Sequence, residues 1–339
     1  MDRLDDALVI LDGAGPEYAG GLANHGPMAA EALFALEQAD AVVPWTERYR
    51  RKLGDEPAPG IPVDRAAFRE ALGQMRRYPD WLALFLAEFR EGPWKPALDR
   101  WTFELAPGFA GAAAHGVIRV GHAVRSLARL DAPGRRKELA RGFAYWAATH
   151  QTLPVKKTWP AHLTPDQALA HVPRLPPDAR PSGSIARGLK LVATLPEFPA
   201  VISLVDAGMP EFVPALGETF ARVFLAGTKT SGRTIALIHA VTGPAAAGLI
   251  VPHVSPRTAA RLLACAWQAA AAIYAVWGKP PEAAEAGEQR ATREELIAAA
   301  VKSGDEHAIK FTEACLRLDA AVPSPAYRAA ASRAVELLS

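Results

Sequence analysis

The sequence predicts an all-α protein, a single large helical domain, on three observations. Half of its 339 residues are hydrophobic, runs that alternate apolar with polar residues are scarce, and apolar residues mostly recur every three or four positions, as one face of a helix requires. A chain of this length and apolar content can bury a sizeable core. Its 38 basic and 36 acidic residues leave a net charge of +2, so electrostatics gives no reason to expect a nucleic acid or an anionic membrane as partner. The two cysteines, Cys265 and Cys315, form no CxxC pair, which argues against a disulfide framework or a thiolate zinc site and fits a reducing cytoplasm. No export signal is visible, because the apolar run Ala7 to Leu11 is too short for a signal-peptide core. The longest apolar run, Leu262 to Trp277, falls short of the roughly 20 residues needed to cross a bilayer and reads as a buried core helix.

Taken in order, Pro27 after Asn24-His25-Gly26 suits the first turn of a helix whose stripe is Met28, Ala32, Leu33 and Leu36. Helical spacing then covers Tyr78 to Phe89, Phe109 to about Leu130, and Arg136 to His150. From Gln151 to Arg187, prolines at 154, 160, 165, 173, 176, 177 and 181 interrupt any long regular element. This stretch reads as a connection with short helical pieces, either a linker or a lid over a site. Short pieces continue from Ile185 to Phe220. Helices follow at about Thr234 to Leu249, Thr258 to Trp277, Arg293 to Lys302, Asp305 to Leu318 and Ala326 to Leu338. Lys279 to Gln289 reads as a polar surface loop, and no repeat of fixed period is present.

Several familiar motifs are missing. None of the nine histidines has an acid three residues before it, which removes the main support for a di-iron bundle. There is no His-Glu-x-x-His, no Gly-x-Ser-x-Gly, and no carboxylate-rich motif for magnesium diphosphate. Gly13-Ala-Gly15-Pro-Glu-Tyr18 begins like a dinucleotide fingerprint but puts Tyr18 at the third glycine. Gly227-Thr-Lys-Thr-Ser-Gly232-Arg233-Thr234 has P-loop spacing, yet arginine replaces the required lysine and a helix end precedes it. It reads as a polar turn that starts the next helix.

The informative residues are four histidines in apolar, helix-like stretches. Imidazole is the commonest metal ligand among side chains, and several presented from separate helices suggest a metal site. His25 lies at a helix start, where the macrodipole disfavours protonation and keeps the ring available as a ligand; a polar residue finishing a helix terminus reads equally simply. His115 sits among Gly111, Ala112, Ala113, Ala114, Gly116 and Gly121. Glycine in a helix costs about 1 kcal/mol, so these imply close backbone approach or room for a ligand. His122 lies two turns on, with Arg119 between, lining a pocket or simply packed. His239 has no charged neighbour between Arg233 and His253, so it reads as buried, and a buried imidazole needs partners for both nitrogens. A core histidine and a metal ligand both satisfy that. His307 begins the stripe Phe311, Ala314, Leu318. Lys310, at the edge of that stripe, has two readings. Either it pairs with Glu306 and Glu313 on a solvated face, for about 0.2 to 0.5 kcal/mol each, or it is desolvated, loses its charge and takes up carbon dioxide as a carbamate. His150, His162, His171 and His253 read as ordinary.

Four segments, Asn24-His25-Gly-Pro-Met28-Ala-Ala-Glu-Ala-Leu33, Ala114-His115-Gly-Val-Ile-Arg119, Ile238-His239-Ala-Val-Thr242 and Asp305-Glu-His307-Ala-Ile-Lys310, together resemble the questin oxidase-like family over about residues 18 to 320. The resemblance implies an all-helical, flavin-independent oxygenase that carries out Baeyer–Villiger-type or ring-opening oxidation of polycyclic quinones and phenols. It also implies a mononuclear non-haem iron held by four histidines and a carboxylated lysine, which by position are His25, His115, His239, His307 and Lys310. Relatives can carry a histidine where Arg119 stands here. The expectation is therefore an iron oxygenase that takes an aromatic, quinone-like small molecule and dioxygen, with NADPH left open as electron donor. Arg119 and His122 would hold a substrate phenolate or move protons. Two other functions fit the same histidines: a zinc hydrolase acting through metal-bound water, and a helical small-molecule binding protein without chemistry.

Overall fold

A computed structural model describes residues 2–339 apart from 91, 157, 160, 182, 229–232 and 282–290. The protein is all-α, and among the described residues the only named strands are two of two residues each, β1 (Glu17–Tyr18) and β2 (Leu22–Ala23). Backbone contacts divide the chain into two compact units, one of Met1–Gln151 with Leu249–Thr258, the other of Thr152–Gly248 with Ala259–Ser339. The first boundary, at 151/152, falls where the proline-rich stretch begins.

The first unit carries α1 (Arg3–Ile10), α2 (Gly26–Ala35), α3 (Ala39–Arg50), α4 (Tyr78–Arg90), α5 (Trp94–Leu105), α6 (His115–Arg129) and α7 (Pro133–Ala148). Its core is aromatic along α4 and α7: Phe85 and Phe89 each stack on Phe143 at 5.4 Å between ring centroids, and Phe143 stacks on Trp146 at 5.9 Å. Offset pairs of this kind add about 0.5–1.5 kcal/mol beyond their buried area. Gly116 explains how α6 comes so close to α7, since a Cβ there would stand 2.5 Å from the Trp146 Cα. The close backbone approach expected of the small residues around His115 is thus found. Gly13 and Gly15 sit in loop rather than in a nucleotide-binding turn, where Ala14 bridges Asp55.

Around His115 the structure departs from expectation. The spacing predicts one helix from Phe109, but α6 starts only at His115. Before it, Ala112, Ala113 and Ala114 take φ of 44°, 56° and 66°. Three successive L-alanines in the left-handed region cost about 1–2 kcal/mol each. They reverse the hand of the chain immediately before the histidine.

The second unit opens with α8 (Pro165–Leu169) and α9 (Ile185–Leu189), the short pieces expected of the proline-rich stretch. That stretch is tied to α12 (Pro256–Trp277): Leu175 N–H donates to the Ala275 carbonyl at 2.8 Å, and Gln268 Nε2 to the Pro154 carbonyl at 2.8 Å. Then come α10 (Phe212–Gly227), α11 (Thr234–Ile250), α13 (Arg293–Ser303), α14 (Glu306–Ala321) and α15 (Pro325–Leu338). Packing of α10, α14 and α15 forms its core, with Phe224 against Phe311 at 4.8 Å between rings. The segment with P-loop spacing lies between α10 and α11, and its central residues 229–232, where the sequence reading put a polar turn, lie outside the described residues. So does most of the loop read at 279–289. Thr234–His253 and Pro256–Trp277 are long and apolar enough to cross a membrane, and the most apolar window of each is 78% buried in the fold. Burial of that extent fits the core-helix reading.

Candidate metal centre

The five candidate ligands fall into two groups, one in each unit. In the first unit, His25 precedes α2 and His115 opens α6. Loop and helix fix His25 together: its backbone N–H donates to the Tyr49 hydroxyl at 2.9 Å, while Asn24 Oδ1 accepts from Gly26 N–H at 2.9 Å and Asn24 Nδ2 donates to the Gly15 carbonyl at 2.9 Å. The His115 ring is fixed by its own strained turn, because Nδ1 donates to the Ala112 carbonyl. That bond leaves His115 Nε2 facing His25 Nε2 at 2.8 Å, with both residues buried. Two nitrogens bound to one ion at about 2.0–2.1 Å and at a right angle to one another stand about 2.9 Å apart, so the pair is spaced to share a metal.

Around this pair the first unit is unusually charged. Arg119 is 3% exposed and grips Glu138 through two bonds, Nε to Oε1 at 2.5 Å and Nη2 to Oε2 at 2.9 Å. His122 donates from Nδ1 to Glu31 Oε2 at 2.6 Å, and Arg125 Nε reaches Glu31 Oε1 at 2.7 Å. Burial alone would raise the Glu31 pKa, but Arg125 and His122 hold it below the ordinary value. Arg119, His122, Glu31, Glu138 and Ser126 line a cavity of about 10 Å³, the size of one water. Arg119 and His122, which the sequence offered as substrate or proton-transfer groups, thus meet acids of their own unit around a space too small for an aromatic ring.

The second unit holds His239 in the middle of α11 and His307 in the first turn of α14. Their rings meet edge to face, with centroids 5.8 Å apart. His239 is 2% exposed, and its Nδ1 donates to the Ile235 carbonyl at 2.6 Å, one turn back. Asp305 caps α14, accepting from the amides of His307 at 2.8 Å and Ala308 at 3.0 Å, and the same carboxylate lies 3.6 Å from His307 Nδ1. Burial pushes the Asp305 pKa up, and the His307 ring and the two amides more than offset it, leaving the carboxyl below its ordinary value.

Lys310 lies on a buried face, not a solvated one. It is 2% exposed, Glu306 and Glu313 are also buried, and Glu313 pairs with Arg317 at 2.9 Å. No solvated salt-bridge face exists there. Desolvation pushes the Lys310 amine down to about 8, against the opposing pull of Glu306 and Asp305. At pH 7 roughly one amine in ten is then neutral, far more than for an exposed lysine.

A scan against protein-family models and a search of curated proteins each found no match. The likeness to the questin oxidase-like family therefore rests on the four quoted segments alone. What sequence reasoning missed were the partners of the rings: the Ala112 carbonyl, Glu31, Glu138 and Asp305. Glu31 and Asp305 carried a faint signal, a lone acid in an otherwise apolar helix and an acid two residues before a histidine.

Proposed function

We propose that this protein is a metal-dependent oxygenase, with iron held by His25, His115, His239, His307 and carboxylated Lys310. Its substrate would be a polycyclic aromatic or quinone-like small molecule. One observation supports the ligand reading above the others. His115 and His239 each commit Nδ1 to a backbone carbonyl, and His307 turns Nδ1 toward a carboxylate. Metal-binding histidines are held in this way, because the bond fixes the tautomer, presents Nε2 as a lone pair and raises its basicity. His25, His115 and His307 each offer a ring nitrogen as a ligand, and imidazole ligands suit iron, zinc or copper. The oxygenase half of the proposal rests on the family resemblance.

When bound, the iron would supply dioxygen activation. The chain's own residues do the rest. Asp305 orients His307, and Lys310, in its neutral form, would take up carbon dioxide at Nζ, releasing one proton to water, to give a carbamate as a negative ligand. Glu31 and Glu138 hold His122 and Arg119 in buried pairs further along the helix that His115 opens.

Elemental analysis of protein purified without a histidine tag or chelator tests this, with His115→Ala and His239→Ala as variants in the two units. About one iron per chain, lost in both variants, is the expected result. Zinc in its place, with esterase or lactonase activity, would replace the oxygenase with a hydrolase. Absence of any metal, with stability unmoved by added iron or zinc, would return the histidines to the core.

A further inference from the structure

We propose that Glu31 is the positioning residue of the His25–His115 pair: through His122 and Arg125 it sets the register of α2 against α6, and so the approach of the two Nε2 atoms. The proposal rests on the metal reading only for its functional consequence; the register itself is a property of the metal-free chain.

Three observations carry it. First, α2 and α6 run side by side and parallel, since His25 meets His115 at their starts and Glu31, six residues on, meets His122, seven residues on. At 1.5 Å per residue the two rungs lie about 9–10 Å apart along the helices. Second, Asn24 and Tyr49 tie the start of α2 and the Arg129 guanidinium over Phe34 its end, and Glu31 is the charged tie between them. The helix sequence is Gly-Pro-Met-Ala-Ala-Glu-Ala-Leu-Phe-Ala, buried from Gly26 to Leu33, and Glu31 is its single charged residue. Small alanine knobs define axial position weakly, whereas a slip of one residue moves a side chain by about 1.5 Å and a slip of one turn by about 5.4 Å. Either shift breaks a nitrogen contact of 2.8 Å. Third, the carboxylate is held from two directions, by the His122 ring at 2.6 Å and the Arg125 fork, Nε at 2.7 Å and Nη2 at 2.5 Å. Buried ion pairs contribute little net stability, and their best-attested use is to specify register.

The test compares Glu31→Ala with Glu31→Gln, whose amide oxygen still accepts from His122. Glu56→Gln is the control, because it breaks the Arg141 ion pair on α7 (2.7 Å) without touching α2 or α6. The first readout is nitrogen-15 NMR of histidine rings in the metal-free protein, following the slowly exchanging proton between the two Nε2 atoms. It should be present in the wild type, in Glu31→Gln and in Glu56→Gln, and absent in Glu31→Ala. The second is the affinity for cobalt(II), which should fall at least 10-fold in Glu31→Ala and stay within about 3-fold in the other two. Arg125→Met, which removes a partner only 22% exposed, should give an intermediate loss and serves if Glu31→Ala does not fold. Retention of the shared proton in Glu31→Ala, or its equal loss in Glu56→Gln, would overturn the proposal, as would its absence from the wild type. A wild type that binds no cobalt but shows the NMR pattern would sink the metal reading and leave the positioning role standing.

Discussion

The two histidine pairs differ in ring geometry and in surroundings. In the first unit the rings stand at two helix starts, nitrogen to nitrogen at 2.8 Å, beside a polar interior of buried arginines paired with acids. In the second, one ring sits in the middle of an apolar helix and meets its neighbour only edge to face, and the ring nitrogens are set by a carbonyl of the same helix and a helix-capping carboxylate. Local groups set the Nδ1 atoms of His115, His239 and His307 alike, and both pairs join separate segments; the first differs in its direct nitrogen contact and in the charged groups of α6 beside it. A contact of 2.8 Å is the less tolerant of displacement, so the first pair should be the more sensitive to distant substitutions.

The largest expected effect breaks both halves alike. His115→Ala and His239→Ala should each abolish metal binding, read by elemental analysis; retention by one alone would mean that only the other pair holds the ion. Next, Lys310→Met should lower both stability and binding. Because the buried amine lies beside Glu306 and Asp305, its removal leaves those carboxylates uncompensated and should destabilise the metal-free protein by about 3 kcal/mol in urea melts, while metal affinity falls and any dependence on bicarbonate disappears. A stabilised Lys310→Met would argue instead that the amine is neutral and uncoupled from those acids. Smaller still is the effect at Asp305. Asp305→Ala should cost about 0.5–2 kcal/mol through the lost cap; Asp305→Asn keeps the cap, and should weaken metal binding by about 10-fold with little change in stability.

The smallest effect sharpens the contrast from the side of pH. His150, in the first unit, is pushed down to about 4 by desolvation, and its Nε2 is buried without a hydrogen-bond partner. Its folded pKa lies below the unfolded value near 6.5, so its contribution is complete above pH 6.5 and is lost as pH falls from there toward 4. Stability should drop by on the order of 1 kcal/mol between pH 6.5 and 5, and His150→Gln should flatten that slope. Hydrogen exchange should locate the acid-sensitive opening in the first unit; opening that begins in the second would be the wrong outcome.

Long helices were legible because their stripes obey one period: α4, α12 and α14 each lie within a few residues of where the spacing puts them. Shorter or interrupted ones were not. The spacing passed over α3, which carries Pro44 within it, and α5, whose Pro96 masked the pattern. The site was legible at the level of its histidines, since apolar neighbours mark burial. Its geometry was not, because the contact of His25 with His115 and the pairing of His122 with Glu31 join residues that only folding brings near. Glu31 is 91 residues from His122, and nothing in the local sequence of either names the other. Ala112 to Ala114 show the limit most plainly: alanine is the strongest helix former, and here tertiary context imposes the opposite hand.

That reversed turn has a consequence for how this protein would respond to selection. Three left-handed alanines together forgo several kcal/mol, a large share of the 5–15 kcal/mol by which a typical domain is stable. A laboratory population selected for heat resistance alone would find glycine at 112, 113 or 114 early, because glycine adopts that hand without penalty. The same exchanges would slacken the loop whose carbonyl holds the His115 ring. Heat-resistant descendants should thus accumulate glycines at these three positions and loosen the His115 ring, whereas selection for the metal-dependent function proposed above should keep alanine there and find its stability elsewhere.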